Sequence, residues 1–155
     1  KICYTKAMKN NTRVRVIGDK TGLAEDLQES IHELETDTAK NTGLQFQIAI
    51  NYGSRDEMLR GMRQMMQDYK EGKITLEEVD EAHFSDYLDT AGIPDPDLMI
   101  RTSGEQRLSN YLMWQHAYSE FYFTDTPWPE FNKAELMKAI EAYTSRDRRY
   151  GKVKA

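Results

Sequence analysis

At 155 residues the chain is long enough to bury one core, and a formal net charge of −5 with 30% charged residues argues against a nucleic-acid binder held by bulk electrostatics. A single cysteine, Cys3, leaves no internal disulfide framework and fits a reducing compartment. No apolar run approaches the roughly 20 residues of a membrane span and no secretory signal is visible, so a soluble protein without a transmembrane segment is expected.

Lys1-Ile2-Cys3-Tyr4 begins without methionine and reads as the tail of a helix, so the chain is expected to open inside a larger domain. Arg13-Val14-Arg15-Val16-Ile17-Gly18 alternates and stops at Gly-Asp, which predicts a strand. Leu23, Leu27, Ile31 and Leu34 recur at helical spacing, predicting a helix over 23–38. Leu44-Gln45-Phe46-Gln47-Ile48-Ala49-Ile50 alternates strictly and is the clearest strand. Ser54-Arg55-Asp56-Glu57 reads as a capping box for a helix whose Met58, Met62, Met65 and Tyr69 form a core-facing stripe. Thr75 and Glu78 form a second box, and Phe84, Tyr87 and Leu88 mark a short helix. A short strand over 98–100 follows the turn Pro94-Asp95-Pro96, with a helix expected over 111–117. Glu120-Phe121-Tyr122-Phe123-Thr124 is strand-like, and Asn132 with Glu135 caps a last helix bearing Leu136, Ala139, Ile140 and Tyr143. Strands alternating with helices predict an α/β fold with a largely parallel central sheet flanked by helices, as a single domain over 1–155.

The chemistry concentrates in Ile100-Arg101-Thr102-Ser103-Gly104-Glu105-Gln106-Arg107-Leu108-Ser109-Asn110. A strand that runs into a Gly-containing basic loop and then a helix suits an anion, because arginine forks match phosphate oxygens and backbone N–H groups at a helix start add partial positive charge. A surface loop whose arginines pair with Glu105 and other local acids gives the same pattern. In parallel sheets ligands sit beyond the carboxyl ends of strands. Three polar constellations fall there: Asn51-Tyr52-Gly53-Ser54-Arg55, the Arg101 loop, and residues 125–130.

With these residues in view the chain resembles the cis-prenyltransferase family, nearest its bacterial, undecaprenyl-diphosphate-forming branch. The resemblance runs through Val16-Ile17-Gly18-Asp19, Asn41-Thr42-Gly43, Asn51-Tyr52-Gly53, residues 97–105, Arg107-Leu108-Ser109-Asn110, Trp114-Gln115, Tyr118-Ser119-Glu120-Phe121, Trp128-Pro129 and Arg149-Tyr150-Gly151. It implies a transferase that adds isopentenyl diphosphate units with cis geometry to an allylic diphosphate such as farnesyl diphosphate, giving undecaprenyl diphosphate as a cell-wall lipid carrier.

The resemblance also assigns roles. Arg101, Arg107 and Ser109 would hold the isopentenyl diphosphate, with Asn51 counted among the substrate-binding residues. Glu120 matches an acid near the family's magnesium ion, so Mg2+ is the expected cofactor. Without the resemblance Glu120 is an exposed glutamate at a strand start. Glu105, the catalytic candidate, would orient Arg101 or Arg107, with proton removal as its lesser role, and Gln106 stands where the family often has histidine, so no proton shuttle is expected there. His32, His83 and His116 read as structural. Arg149 and Gly151 match an Arg-x-Gly element that reaches into the partner subunit's site, which implies a homodimer. Leu44, Phe46 and Ile48 share one strand face and would line a tunnel for the hydrocarbon product, although ordinary core packing gives the same alternation. A cytoplasmic enzyme is expected, with peripheral membrane contact on product release. The family's Met-Asp-Gly-Asn-Gly-Arg-Trp and Ser-x-Glu-Asn-Trp segments do not occur here. The chain is therefore expected to carry the isopentenyl half of the site, without the first strands, and to be inactive alone.

Overall fold

Parallel strand pairing organises both parts of the chain. The structure, a computed structural model, describes residues 2–147, with side chains from Tyr4 onward. Contacts divide the chain into two compact units, Lys1–Gly92 and Ile93–Ala155. The first contains α1 (Ile2–Lys9), β1 (Arg13–Ile17), α2 (Glu25–Thr38), β2 (Gln45–Ala49), α3 (Ser54–Lys70), a 3-10 turn (Leu76–Glu78) and α4 (Glu81–Ser85). The second contains β3 (Leu98–Arg101), β4 (Glu120–Phe123), a 3-10 turn (Trp128–Glu130) and α5 (Lys133–Thr144). The α/β fold and the parallel pairing are as expected. The strands form two parallel pairs, β1 with β2 and β3 with β4.

In the first unit, β1 lies beside β2 from Arg13 opposite Gln45 to Ile17 opposite Ala49. A parallel strand turns alternate N–H groups to its two sides, so those of Val14, Val16 and Gly18 face away from β2. Each is met by a side chain: Val14 N–H by Thr38 Oγ1 at 3.0 Å, Val16 N–H by Glu35 Oε1 at 2.7 Å, and Gly18 N–H by Asp89 Oδ2 at 2.9 Å. The outer edge of β1 is thereby closed without another strand. Gly18 is required where the strand ends, because its φ is +116° and a Cβ there would lie 2.1 Å from the Ile50 carbonyl oxygen.

Asp89 also receives both terminal nitrogens of Arg60 at 2.9 Å, and its own N–H donates to Glu57 at 2.9 Å. Burial pushes the Asp89 carboxyl up. The Arg60 hydrogen bonds, the Gly18 N–H and the nearby charges of Arg60 and Lys20 outweigh burial and hold it below the usual carboxylate range. Glu57 is wholly buried and also takes the Tyr52 hydroxyl proton in a hydrogen bond. This corrects the expected capping box. Gly53 is the N-cap and makes no side-chain bond, because Glu57 turns inward to two buried donors rather than back to the helix start. The methionine stripe is half core: Met65 is buried, while Met62 and Tyr69 are about half exposed.

In the second unit, β3 and β4 run from Leu98 opposite Glu120 to Arg101 opposite Phe123. Asn132 caps α5 as expected, accepting from the N–H groups of Ala134 and Glu135. The helix expected over 111–117 does not form. Ser109, Asn110 and Leu112 have φ of 51°, 61° and 43°, left-handed values that interrupt the helical ladder and leave turns.

Two outcomes follow from these networks. Thr38→Val keeps the shape but strips the Val14 N–H of its buried acceptor, so chemical denaturation should show a loss of about 1–3 kcal/mol; an unchanged midpoint would mean that the edge does not need this cap. His116 is buried, and burial pushes its imidazole below the ordinary value while Asp95 pulls it part of the way back. Below about pH 6.5 the unfolded chain gains a proton that the folded chain resists, so stability should be full above that pH and decline as pH falls through the folded value. Melting curves between neutral and mildly acidic pH should show His116→Leu losing less stability than the parent. Parallel pH profiles for the two proteins would contradict this.

Candidate functional site

The chain after β3 is held in an uncommon backbone shape. Ser103 and Gly104 both have positive φ, 64° and 68°, and their N–H groups donate to Thr126 O at 3.1 Å and Thr124 O at 3.0 Å. A Cβ on Gly104 would lie 3.1 Å from Asp125 Oδ1, so glycine meets both the turn and the close approach. Further on come the left-handed Ser109, Asn110 and Leu112. Non-glycine residues in this region cost of order 1–3 kcal/mol each and persist only where surrounding structure imposes them.

This loop brings its polar residues together. An Arg101 terminal nitrogen lies 3.5 Å from Ser109 Oγ, and Arg107 forms an ion pair with Glu105. Arg101 and Arg107 both line a cavity of about 220 Å3 with Met99, Ile100, Leu108 and Tyr111. Arg107 keeps 65% of its side chain exposed, so its guanidinium is open to an anion even while paired. Glu105 pairs with Arg107 rather than with Arg101, and the same contact is the local ion pair that a plain surface loop would make. No helix starts here, so the cation forks act without help from a helix terminus.

Glu120 does not join this cluster. The register sets it opposite Leu98 at the start of the strand pair, whereas Arg101 leaves from the other end. Three strand residues separate these levels by roughly 10 Å, and alternation puts Glu120 on the face of Leu98 and Ile100 while Arg101 shares the face of Met99. The half-buried carboxylate pairs instead with Arg146 at 2.7 Å. Among the described residues no three His, Cys, Asp or Glu side chains converge as a metal site. Magnesium often uses only one or two carboxylates and completes its shell with substrate phosphates. Glu120 fits that mode as a lone carboxylate, but not as a bridge to an anion held by Arg101 and Arg107 of its own chain.

In the first unit Asn51 lies just beyond β2 with φ 48°, its side-chain amide donating to Asp19 O at 2.9 Å. Leu44 and Phe46 are 69% and 47% exposed, so the expected tunnel face is open rather than packed, with Ile48 partly covered. Arg149 and Gly151 lie outside the described residues. Sequence reasoning missed Tyr111 as a cavity wall, Arg146 as the partner of Glu120, and the hydrogen bonding of His116 to Ser119. The basic run Arg146-Asp147-Arg148-Arg149 is a visible hint of Arg146, whereas the other two depend on turn geometry that periodicity does not reveal.

A family profile described as putative undecaprenyl diphosphate synthase matches residues 2–151. The chain is 48% identical over 146 residues to an isoprenyl transferase of Clostridium perfringens, covering 94% of this chain and 58% of that protein. It is 50% identical over 143 residues to an isoprenyl transferase of Agrobacterium fabrum, covering 92% and 58% respectively. The chain thus spans a little under three-fifths of the length of these curated relatives. Among solved structures, lavandulyl diphosphate synthase from Lavandula x intermedia, in complex with dimethylallyl diphosphate, superposes with a TM-score of 0.88 at 37% identity, over 93% of this chain and 62% of that one. A probable undecaprenyl diphosphate synthase from Campylobacter jejuni gives 0.82 at 35% identity, over 97% and 70%. Sequence and fold agree: the chain belongs to the undecaprenyl diphosphate synthase-like family of cis-prenyltransferases.

Proposed function

We propose that this chain carries the isopentenyl diphosphate half-site of an enzyme that extends an allylic diphosphate, such as farnesyl diphosphate, by successive cis condensations to undecaprenyl diphosphate. The observation that carries this reading is that Arg101 and Arg107 line one cavity on a strained loop, with the Ser109 hydroxyl within 3.5 Å of Arg101. A diphosphate needs several charge-assisted donors, and guanidinium forks supply them with bidentate geometry. Ser109 adds a hydroxyl donor, and Glu105 fixes the direction of Arg107. Likeness to a synthase solved with an allylic diphosphate supports the substrate class. Asn51 would contribute a polar contact beyond β2, and the open apolar face of Leu44, Phe46 and Ile48 suits a hydrocarbon product.

Mg2+ is the expected cofactor, and when bound it would neutralise charge on the phosphates. Glu120 is the carboxylate that would hold it. Its position away from Arg101 favours a homodimer in which a second copy brings a diphosphate to that end of the strands. Arg149 and Gly151 of one subunit would complete the other's site. The enzyme would work in the cytoplasm and touch the membrane peripherally on release of its product, and no helix among the described residues is long and apolar enough to cross one.

In a chain of full family length, Arg101→Ala or Arg107→Ala should remove a charge-assisted contact worth roughly 1.5–3 kcal/mol and raise the KM for isopentenyl diphosphate. Lysine should recover only part, since it keeps the charge without the fork. Equal effects on both substrates, or none, would count against the assignment. For the dimer, Arg101→Ala and Arg149→Ala subunits should each be weakly active and regain activity after mixing and exchange. In such a mixed dimer one site carries both lesions and the other neither. Exchange shown by light scattering with no return of activity would exclude the shared site.

A further inference from the structure

Behind the arginine-lined cavity sits a buried group that the proposed chemistry does not use. His116 is 6% exposed, and its Nδ1 lies 2.8 Å from Ser119 Oγ, which in turn donates to the Pro96 carbonyl. The hydroxyl has one proton and the carbonyl can only accept, so that proton goes to Pro96 and Nδ1–H must donate to Ser119. This fixes the tautomer and leaves Nε2 as a buried acceptor without a partner among the described residues. The relay ties the ring to the backbone just before both strands, beside the Glu120 N–H bond to Asp97 O at 2.9 Å.

The ring stands between Tyr111 and Phe121, with centroids 6.0 Å from each. The backbone N–H of His116 donates to Leu112 O at 2.9 Å, a bond that does not depend on the side chain. Tyr111 lines the same cavity as Arg101 and Arg107, and it lies between the left-handed residues Asn110 and Leu112. One residue therefore connects the fixed starts of two strands to the strained segment that ends the loop.

We propose that His116 is a positioning residue for the diphosphate loop. The Ser119 relay sets the ring plane, the ring holds Tyr111, and Tyr111 keeps Arg107 at the cavity and Ser109 beside Arg101. The proposal rests on the reading of this cavity as a diphosphate site, and it goes beyond that reading by naming what holds the loop in its binding shape.

The test uses the whole chain, with inorganic pyrophosphate as the probe and calorimetry as the readout, and melting curves run alongside. His116→Leu keeps apolar volume but loses the ring and the donor, and should weaken pyrophosphate by about tenfold, the scale expected from a sub-ångström misplacement of binding groups. His116→Phe restores a ring between Tyr111 and Phe121 but not the donor to Ser119, so it should recover most of the loss and bind within about threefold of the parent, as Ser119→Ala does. Ser119→Ala frees the ring plane while changing little volume and should weaken binding by about threefold. A residue that only fills space would be replaced by leucine without loss, so a folded His116→Leu chain with parental affinity overturns the proposal. Should that variant not fold, unchanged affinity in Ser119→Ala overturns it instead. Arg101→Ala and Arg107→Ala are measured in parallel. If neither weakens pyrophosphate, the diphosphate reading falls and the proposal with it. If both do and His116→Leu does not, the positioning role alone is wrong.

Discussion

The need to satisfy every N–H along β1 is the constraint on which the first unit depends. Half of its donors are used by β2, and the rest would be left facing a side where no strand of the described residues lies. Thr38, Glu35 and Asp89 supply the missing acceptors, drawn from α2 and from the segment after α4. Asp89 does more than cap, because its bonds to Arg60 and to Glu57 also fasten α3. Charge burial is tolerated here since every oxygen of the carboxylate meets a donor. The apolar core of Val14, Val16 and Ile31 is thus framed by polar groups that leave little freedom in where the helices dock.

The second unit solves a different problem. Its polar loop must hold two guanidinium groups near one another, against their mutual repulsion and against backbone strain. An acid beside Arg107 and a hydroxyl beside Arg101 offset the first cost. The second is met by anchors outside the loop: backbone bonds to Thr124 and Thr126 at one end, and the packing of Tyr111 against His116 at the other. Preorganisation of this kind lets an anion bind without first ordering the loop.

How far the sequence alone reveals this depends on whether a feature is local. The strand at Gln45–Ala49 and the cap at Asn132 follow from alternation and from short-range hydrogen bonding, and both stand where expected. The capping box at Ser54 failed because Glu57 found buried donors 32 residues away in Asp89 and nearby in Tyr52. The helix after the basic loop failed because three left-handed residues, only one of them asparagine, override an apolar pattern of the right period. The two arginines stand out from an acidic chain by composition and spacing, and the resemblance to the family adds Ser109 to them. The separation of Glu120 from them could not be read this way, since it is fixed by strand register, and a chain read in one dimension places residues 101 and 120 equally well at either end of a pair.

The caps on β1 also differ in how far the chain must travel to make them. Glu35 is 19 residues from Val16 and Thr38 is 24 from Val14, whereas Asp89 is 71 from Gly18. Closing a longer loop costs more conformational entropy, so the two α2 caps can close as soon as that helix docks. The Gly18 end stays open until the segment after α4 arrives. During folding, β1 is therefore shielded first at the end nearest α1. Its last N–H, beside the polar turn at Asp19 and Asn51, is the point where a foreign strand could still pair.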